Sequence, residues 1–232
     1  MATRVTTTRS FSAPVPPNLP LATAEYERRY IDQLNNILRL YFNQLQTFEQ
    51  QLVAGTGGRY IGFPFISASD EALQYATAAS TPTVVQWNTL ESGNGFTLNA
   101  NNTATAQVPG IYKITYSLQF ANNDNAAHDA IVWLRVNGST STADVTNSTT
   151  IFTVQPRKSA GIPNYVCGYS EVVFPLNAGD SVGLWWGTDQ AATSGGATGI
   201  YIDYQAAQTT PMPYPSVPSA IGSITFVSAL PT

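Results

Sequence analysis

The stretch Gly110-Ile111-Tyr112-Lys113-Ile114-Thr115-Tyr116-Ser117-Leu118-Gln119-Phe120 decides the fold. Tyr112, Ile114, Tyr116, Leu118 and Phe120 recur at every second position, with Lys113, Thr115, Ser117 and Gln119 between them. A period of two puts the apolar set on one face of an extended strand and the polar set on the other. The stretch therefore reads as a half-buried strand of an antiparallel sheet, with Tyr112, Ile114 and Tyr116 among its core positions.

Working outward, the same period governs the chain from Arg59 onward. Strands are expected at about 60–66, 83–88, 94–99, 103–108, 110–120, 129–138, 149–155, 165–175, 181–186, 199–205 and 221–229, each bounded by Gly, Pro, Asn or Asp. About ten short strands with no helix between them predict a mainly β fold, an antiparallel jelly-roll sandwich. Several strands are apolar on both faces: Val132, Leu134 and Val136 against Ile131 and Trp133, Val182, Leu184 and Trp186 against Trp185, and Ile200, Ile202 and Tyr204 against Tyr201. A sandwich has one face per sheet to bury, so Trp133, Trp185 and Tyr201 are expected to pack between subunits.

Upstream the period changes to that of a helix. Pro14, Pro16, Pro17 and Pro20 remove backbone donors and disfavour helix at each preceding residue, which predicts an extended arm over residues 1–21. A helix is expected over 22–54, with Thr23 as N-cap, Glu25 and Glu27 in the first turn, and Gly55, Gly57 and Gly58 as the stop. Ile31, Leu34, Leu38, Tyr41, Leu45, Phe48 and Leu52 alternate three and four residues apart, the spacing of a coiled-coil seam. Tyr30, Ile37 and Phe42 widen the apolar surface beyond what a two-stranded coil covers. Three helices, or a groove on another protein, are expected to cover it; packing of the helix on the chain's own sheet is the alternative. Residues 55–82 then form a glycine-containing linker with the first strand, and 83–232 the head.

Composition narrows the partners. Of 232 residues 43% are hydrophobic but only 10% charged, with a net charge of −4. The surface must work through hydroxyl and amide groups, and it offers no general field for phosphate backbones, so nucleic acid is not an expected partner. The one cysteine, Cys167, excludes an intrachain disulfide framework and any multi-cysteine zinc site. The N-terminal MATRVTTTRSF lacks the apolar run of a secretory signal, and no stretch approaches the roughly 20 apolar residues of a membrane span. A protein made in a cytoplasm, without membrane insertion, is expected.

Gly95-Phe96-Thr97 followed by Val108-Pro109-Gly110-Ile111-Tyr112-Lys113-Ile114-Thr115-Tyr116 resembles the signature of the globular heads of the complement and tumour-necrosis-factor superfamily. Trp133-Leu134-Arg135-Val136-Asn137-Gly138, Leu176-Asn177-Ala178-Gly179-Asp180-Ser181-Val182 and Ser223-Ile224-Thr225-Phe226 follow in that family's order. The resemblance covers roughly residues 83–230 and implies a ten-stranded jelly roll packed as a homotrimer. Ile114 stands where an aromatic is usual, and there are insertions at Ser139–Ser148 and Pro211–Pro218. A second resemblance runs from Tyr30 to Leu45, after the proline-rich arm, and is to structural proteins of tailed marine bacteriophages. It implies a virion protein docked on other virion proteins through residues 1–54. The head would be a tail-fibre or adhesion knob meeting a host glycan or receptor; a capsid decoration or cement protein is the alternative.

Catalytic patterns are sparse. Gly179-Asp180-Ser181-Val182-Gly183 has the form of a nucleophile elbow, whose chemistry needs a strand-to-helix turn and a later histidine. A strand is expected after Ser181, and the only histidine, His128, lies upstream in an expected polar loop. Cys167, inside an apolar run, reads as a small buried residue. The acids Asp124, Asp129, Asp144, Asp180, Asp189, Asp203 and Glu171, candidates for paired-carboxylate glycan cleavage, are scattered singly. Asp124 and Asp129 with Asn122 and Asn123 could offer oxygens to calcium, but lack the spacing of a ligand loop and read as a solvated turn. Trp185 and Tyr201 could stack on sugar rings. No enzyme activity, cofactor or metal is expected.

Overall fold

The computed structural model describes residues 14–19, 27–53, 62–193 and 198–231. It comprises two compact units, residues 1–62 and 63–232. The boundary falls well before residue 83, because the first strand is an integral member of the head.

In the first unit one helix, α1, spans Arg28–Val53. The carbonyl of Glu27 accepts hydrogen bonds from the N–H groups of Tyr30 and Ile31, so Glu27 precedes the helix and its first turn holds Arg28 and Arg29 instead of acids. Thr23, Glu25, Ala54 and the glycine stop lie outside the described residues. Ile31, Leu34, Leu38, Tyr41, Leu45 and Phe48 are all half-buried, whereas Leu40 and Phe42 are exposed. Leu52 falls in the last turn, with its side chain outside the described residues. No described helix is long and apolar enough to cross a membrane.

The second unit is an antiparallel β-sandwich of jelly-roll type. One sheet has seven strands: β1 (Phe65–Asp70), β2 (Gln74–Tyr75), β4 (Thr89–Asn94), β7 (Gly110–Asn122), β10 (Asn164–Leu176), β12 (Ile200–Ile202) and β13 (Ala220–Ser228). The other has six: β3 (Thr83–Val84), β5 (Phe96–Leu98), β6 (Thr103–Ala106), β8 (His128–Val136), β9 (Thr150–Val154) and β11 (Ser181–Thr188). Strand β7 organises the first sheet. It pairs along its whole length with β10, and along its other edge with β13 and then β12. Its even-numbered residues from Gly110 to Phe120 are buried and the odd-numbered ones between them half-buried, as the period-two reading requires.

The core lies between the sheets. Tyr112, Ile114, Tyr116, Leu118 and Phe120 meet Val132, Leu134, Leu184 and Trp186 from the other sheet, with Phe96 edge-on to Tyr112 at 5.1 Å. The Tyr112 hydroxyl donates to the Val108 carbonyl at 2.6 Å, and burial raises its pKa. Burying a tyrosine with its hydroxyl paired keeps the apolar gain without the cost of an unmade hydrogen bond.

Several strand limits differ from the sequence expectation. The strand expected at 60–66 runs from Phe65 to Asp70, where buried Asp70 accepts from Gln74 Nε2 and the Ser219 hydroxyl; Tyr60 and Ile61 are outside the described residues. The strand expected at 83–88 forms ladder pairs at Thr83 and Val84 and one further bond, from the Val85 N–H to the Leu184 carbonyl. Trp87 instead leaves the sheet to cover Gly222, where an added Cβ would stand 2.7 Å from its ring. Strands β2 and β4 were not anticipated. The insertion at Ser139–Ser148 folds into two short 3-10 turns, Ser141–Ala143 and Thr146–Ser148.

Candidate functional site

Three side-chain constellations on the head can do chemistry. The first is the outer face of the six-stranded sheet. Alternation along β8 points Ile131, Trp133 and Arg135 away from the core, and Trp133 is directly opposite Trp185 on β11. Gly187 and Gly183 oppose Ile131 and Arg135, which leaves room on β11 for the Arg135 side chain to reach over Trp185. Arg135 is only 4% exposed. Its guanidinium lies 4.2 Å from the Trp185 ring centroid and 5.6 Å from that of Trp133. It donates to Asp144 Oδ1 and to the Ser139 carbonyl, while Trp133 Nε1 donates to the same Asp144 oxygen at 2.7 Å. The Arg135 and Trp133 bonds hold the Asp144 carboxyl below the usual range although partial burial opposes them. Part of the cover expected for Trp133 and Trp185 from a sister copy is thus supplied inside the chain, and both rings are half-buried.

Beside Trp185 lies a cleft of about 690 Å³ lined by Val84, Asn101, Asn102, Thr103, Asn137 and Ser139, among others. None of its lining side chains is charged. The rims come from the β5–β6 turn, where Asn102 has a φ of 63°, and from the end of β8, where Asn137 has a φ of 59°. Asparagine tolerates this left-handed backbone better than other residues because its short amide bonds locally.

The second constellation surrounds His128. His128 begins β8, with a side chain 13% exposed. Its Nε2 is 2.9 Å from Asp124 Oδ2 and its Nδ1 3.0 Å from Asp189 Oδ2. Burial disfavours the charged ring, but the bonds and charges of the two carboxylates outweigh it and raise the His128 pKa. The Asp124 and Asp189 carboxyls are lowered, with Asp189 overcoming its own burial. Asp129 joins through its N–H, which donates to Asp189 Oδ1, and through Thr153, whose hydroxyl donates to Asp129 Oδ1. The result is an ionic clamp closing two loops onto the start of β8, in place of the polar loop expected for His128. Asp124 and Asp129 are occupied by these partners, and Asn122 spends its amide on the Ala126, Val154 and Gln155 carbonyls. Among the described residues no three His, Cys, Asp or Glu side chains are arranged for a metal ion.

The third is the outer face of the seven-stranded sheet. Tyr201 and Tyr165 both pair with Ala121, from opposite sides, and Tyr201 stacks on Tyr75 at 5.8 Å. Asp203 is buried near them, and desolvation raises its carboxyl despite bonds from Gln205 and Tyr165; burial also raises the Tyr165 and Tyr201 hydroxyls. Further along the face, Tyr169 and Val173 are each 58% exposed, and Ile221 and Val227 are exposed as well. The charged pair on this stretch of β7 and β10 is Lys113 with Glu171, 3.7 Å apart and solvated. Cys167, expected to be buried, is exposed here, with its Sγ 3.2 Å from the Ser117 hydroxyl. Its neighbours Tyr165 and Tyr169 misled the reading, because their rings point to the same outer face.

Ser181 starts β11 and its hydroxyl donates to Thr103, so no strand-to-helix elbow forms around it. Asp180 is a turn residue, accepting from Asn137 and from the Asn177 N–H. Sequence reasoning did not single out Arg135 as a site residue, and it placed Asp144 only among the scattered acids, without its pairing to Arg135 and Trp133. Arg135 was legible, since period two puts it on the face of Trp133. The pairing of Asp144 was not, because nothing local tells where an insertion folds back. No protein-family model matches the chain, and no curated protein matches it in sequence.

Proposed function

We propose that the chain is a non-enzymatic structural component of a bacteriophage particle, a homotrimer seated on other virion proteins through residues 1–54 and displaying its sandwich head toward the host surface. The observation that carries self-association is the outer face of the seven-stranded sheet. Tyr165, Tyr169, Val173, Ile221 and Val227 are exposed there together, among hydroxyls and one ion pair. Aromatic and aliphatic side chains with little charge are the composition of an interface centre, and a solitary sheet would leave them wet. A closed three-fold assembly covers this face on every copy. The virion assignment is supported by the Tyr30–Leu45 resemblance and by an amphipathic helix whose widened apolar surface includes exposed Leu40 and Phe42.

The single native thiol tests the assembly. Light scattering of the intact chain should give three times 24.9 kDa, and Cys167 should react slowly with a thiol reagent until the trimer is dissociated. The exposed pair Tyr169→Asp with Val173→Arg should yield a folded monomer with a fast thiol. A monomeric native chain overturns the trimer. Absence of the chain from purified virions by mass spectrometry overturns the particle assignment.

A further inference from the structure

The cleft beside Trp185 has a chemistry that the assembly does not use. Of its amides, Asn101 accepts from the Thr103 hydroxyl at 2.8 Å and Asn102 accepts from the Trp87 N–H at 2.9 Å, both through Oδ1. Among the described residues neither Nδ2 has a hydrogen-bond partner. The opposite rim is held as firmly: Asn137 Nδ2 donates to Asp180 at 2.7 Å, and its Oδ1 accepts from the Ser181 N–H at 2.8 Å. Ser139 adds a hydroxyl. Arg135 is paired with Asp144, and the Asp180 carboxylate behind the rim, bonded by the Asn137 and Asn177 amides, keeps its negative charge. One face of the Trp185 indole carries Arg135, and the ring also lines the cleft.

We propose that this cleft is a binding site for a neutral saccharide, with a sugar ring against Trp185 and its hydroxyl oxygens accepting from the Asn101 and Asn102 amides. A pyranose has an apolar C–H face and a rim of hydroxyls; an indole beside fixed neutral amides matches both. A carboxylated or sulfated sugar finds no cation to offset its desolvation, since Arg135 is already paired. Both rims are bonded before any ligand arrives, which lowers the ordering cost of a weak, multivalent contact. The cleft's volume lies within the roughly 300–1,000 Å³ usual for small-molecule sites. The inference rests on the display reading for where the ligand is met, while the chemistry belongs to the folded head.

The test uses the intact chain and saturation-transfer NMR with maltose, lactose, cellobiose and N,N′-diacetylchitobiose, with 3′-sialyllactose as the acidic comparator. At least one neutral disaccharide should receive saturation at millimolar concentration. Asn101→Ala should weaken it about tenfold, equivalent to about 1.4 kcal/mol. Ser139→Trp, at an exposed position, should block it with an unchanged melting temperature. No transfer to any of the four neutral probes overturns the site, as does preference for sialyllactose or binding indifferent to Ser139→Trp. Light scattering on the same samples separates the two readings: a trimer without sugar binding removes the site alone, and a sugar-binding monomer removes the assembly alone.

Discussion

Gly110→Ala should destabilise the head through one ring. A Cβ built on Gly110 stands 2.5 and 2.9 Å from two carbons of Phe226 and 3.1 Å from the Ser228 carbonyl. The backbone there is ordinary extended strand, so the cost is steric and not conformational. Phe226 cannot simply swing away, because it lies edge-on to buried Tyr112 at 5.7 Å and stacks on Phe63 at 5.9 Å. Overpacking of this kind costs about 1–3 kcal/mol. For a unit of this length each kcal/mol lowers Tm by about 2–4 °C, so a fall of about 2–12 °C is expected. Urea unfolding followed by tryptophan fluorescence, with calorimetry beside it, measures both quantities. The decisive comparison is a double-mutant cycle with Phe226→Leu, which removes the obstructing ring. Gly110→Ala in that background should cost less than half as much. Equal costs in the two backgrounds would refute the steric account and shift the explanation to the strand backbone.

Three further outcomes are expected. His128→Gln should lower Tm most at about pH 5–6: the raised His128 contributes stability below its ordinary 6.5, lost as pH rises through the raised value, while lowered Asp124 and Asp189 contribute above about pH 4 and lose it as pH falls. Arg157 and Asp129 are the other charges near the clamp, and a pH-independent Tm difference would show that it is not ionic. Arg135→Leu should cost about 1–3 kcal/mol in urea unfolding, reduced from the fully buried case because the Asp144 side chain is 35% exposed. Adding Asp144→Leu should recover part of the loss, and no recovery would mean that the stacking on Trp185 dominates. Leu38→Asp with Leu45→Asp should abolish attachment to the particle while the head still folds; mutant chain retained on purified virions would contradict the anchoring role.

Most of the fold was legible because the head is built from long alternating strands. Strand β7 from Gly110 to Asn122 and β10 from Asn164 to Leu176 carry enough period-two signal to be placed within two residues. The misses are all short or aperiodic. Gln74–Tyr75 is two residues held by a side-chain network with Asp70 and Ser219, and Thr89–Asn94 contains no buried residue, so neither carries an apolar alternation. At the candidate sites, Trp185 and Tyr201 were visible as surplus aromatics. Arg135 was legible on the face of Trp133, but its reach to Trp185 on the adjacent strand was not, because strand pairing is non-local, and Tyr75 reaches Tyr201 from far upstream. His128 looked solvated because the acids that enclose it lie 4 and 61 positions away.

The pairing of the first and last strands of the head governs how it responds to force. Phe65 is opposite Thr225 and Asp70 opposite Ala220, so the chain enters β1 and leaves β13 at the same end of the sheet. Tension between the two termini of the head therefore opens that ladder like a zipper, one backbone bond at a time, whereas a load between the start of β1 and the loop that enters β13, at opposite ends of the ladder, shears the same bonds together. A tether at the N-terminus with the load on that loop uses the resistant direction, and single-molecule pulling along the two axes should separate them by rupture force.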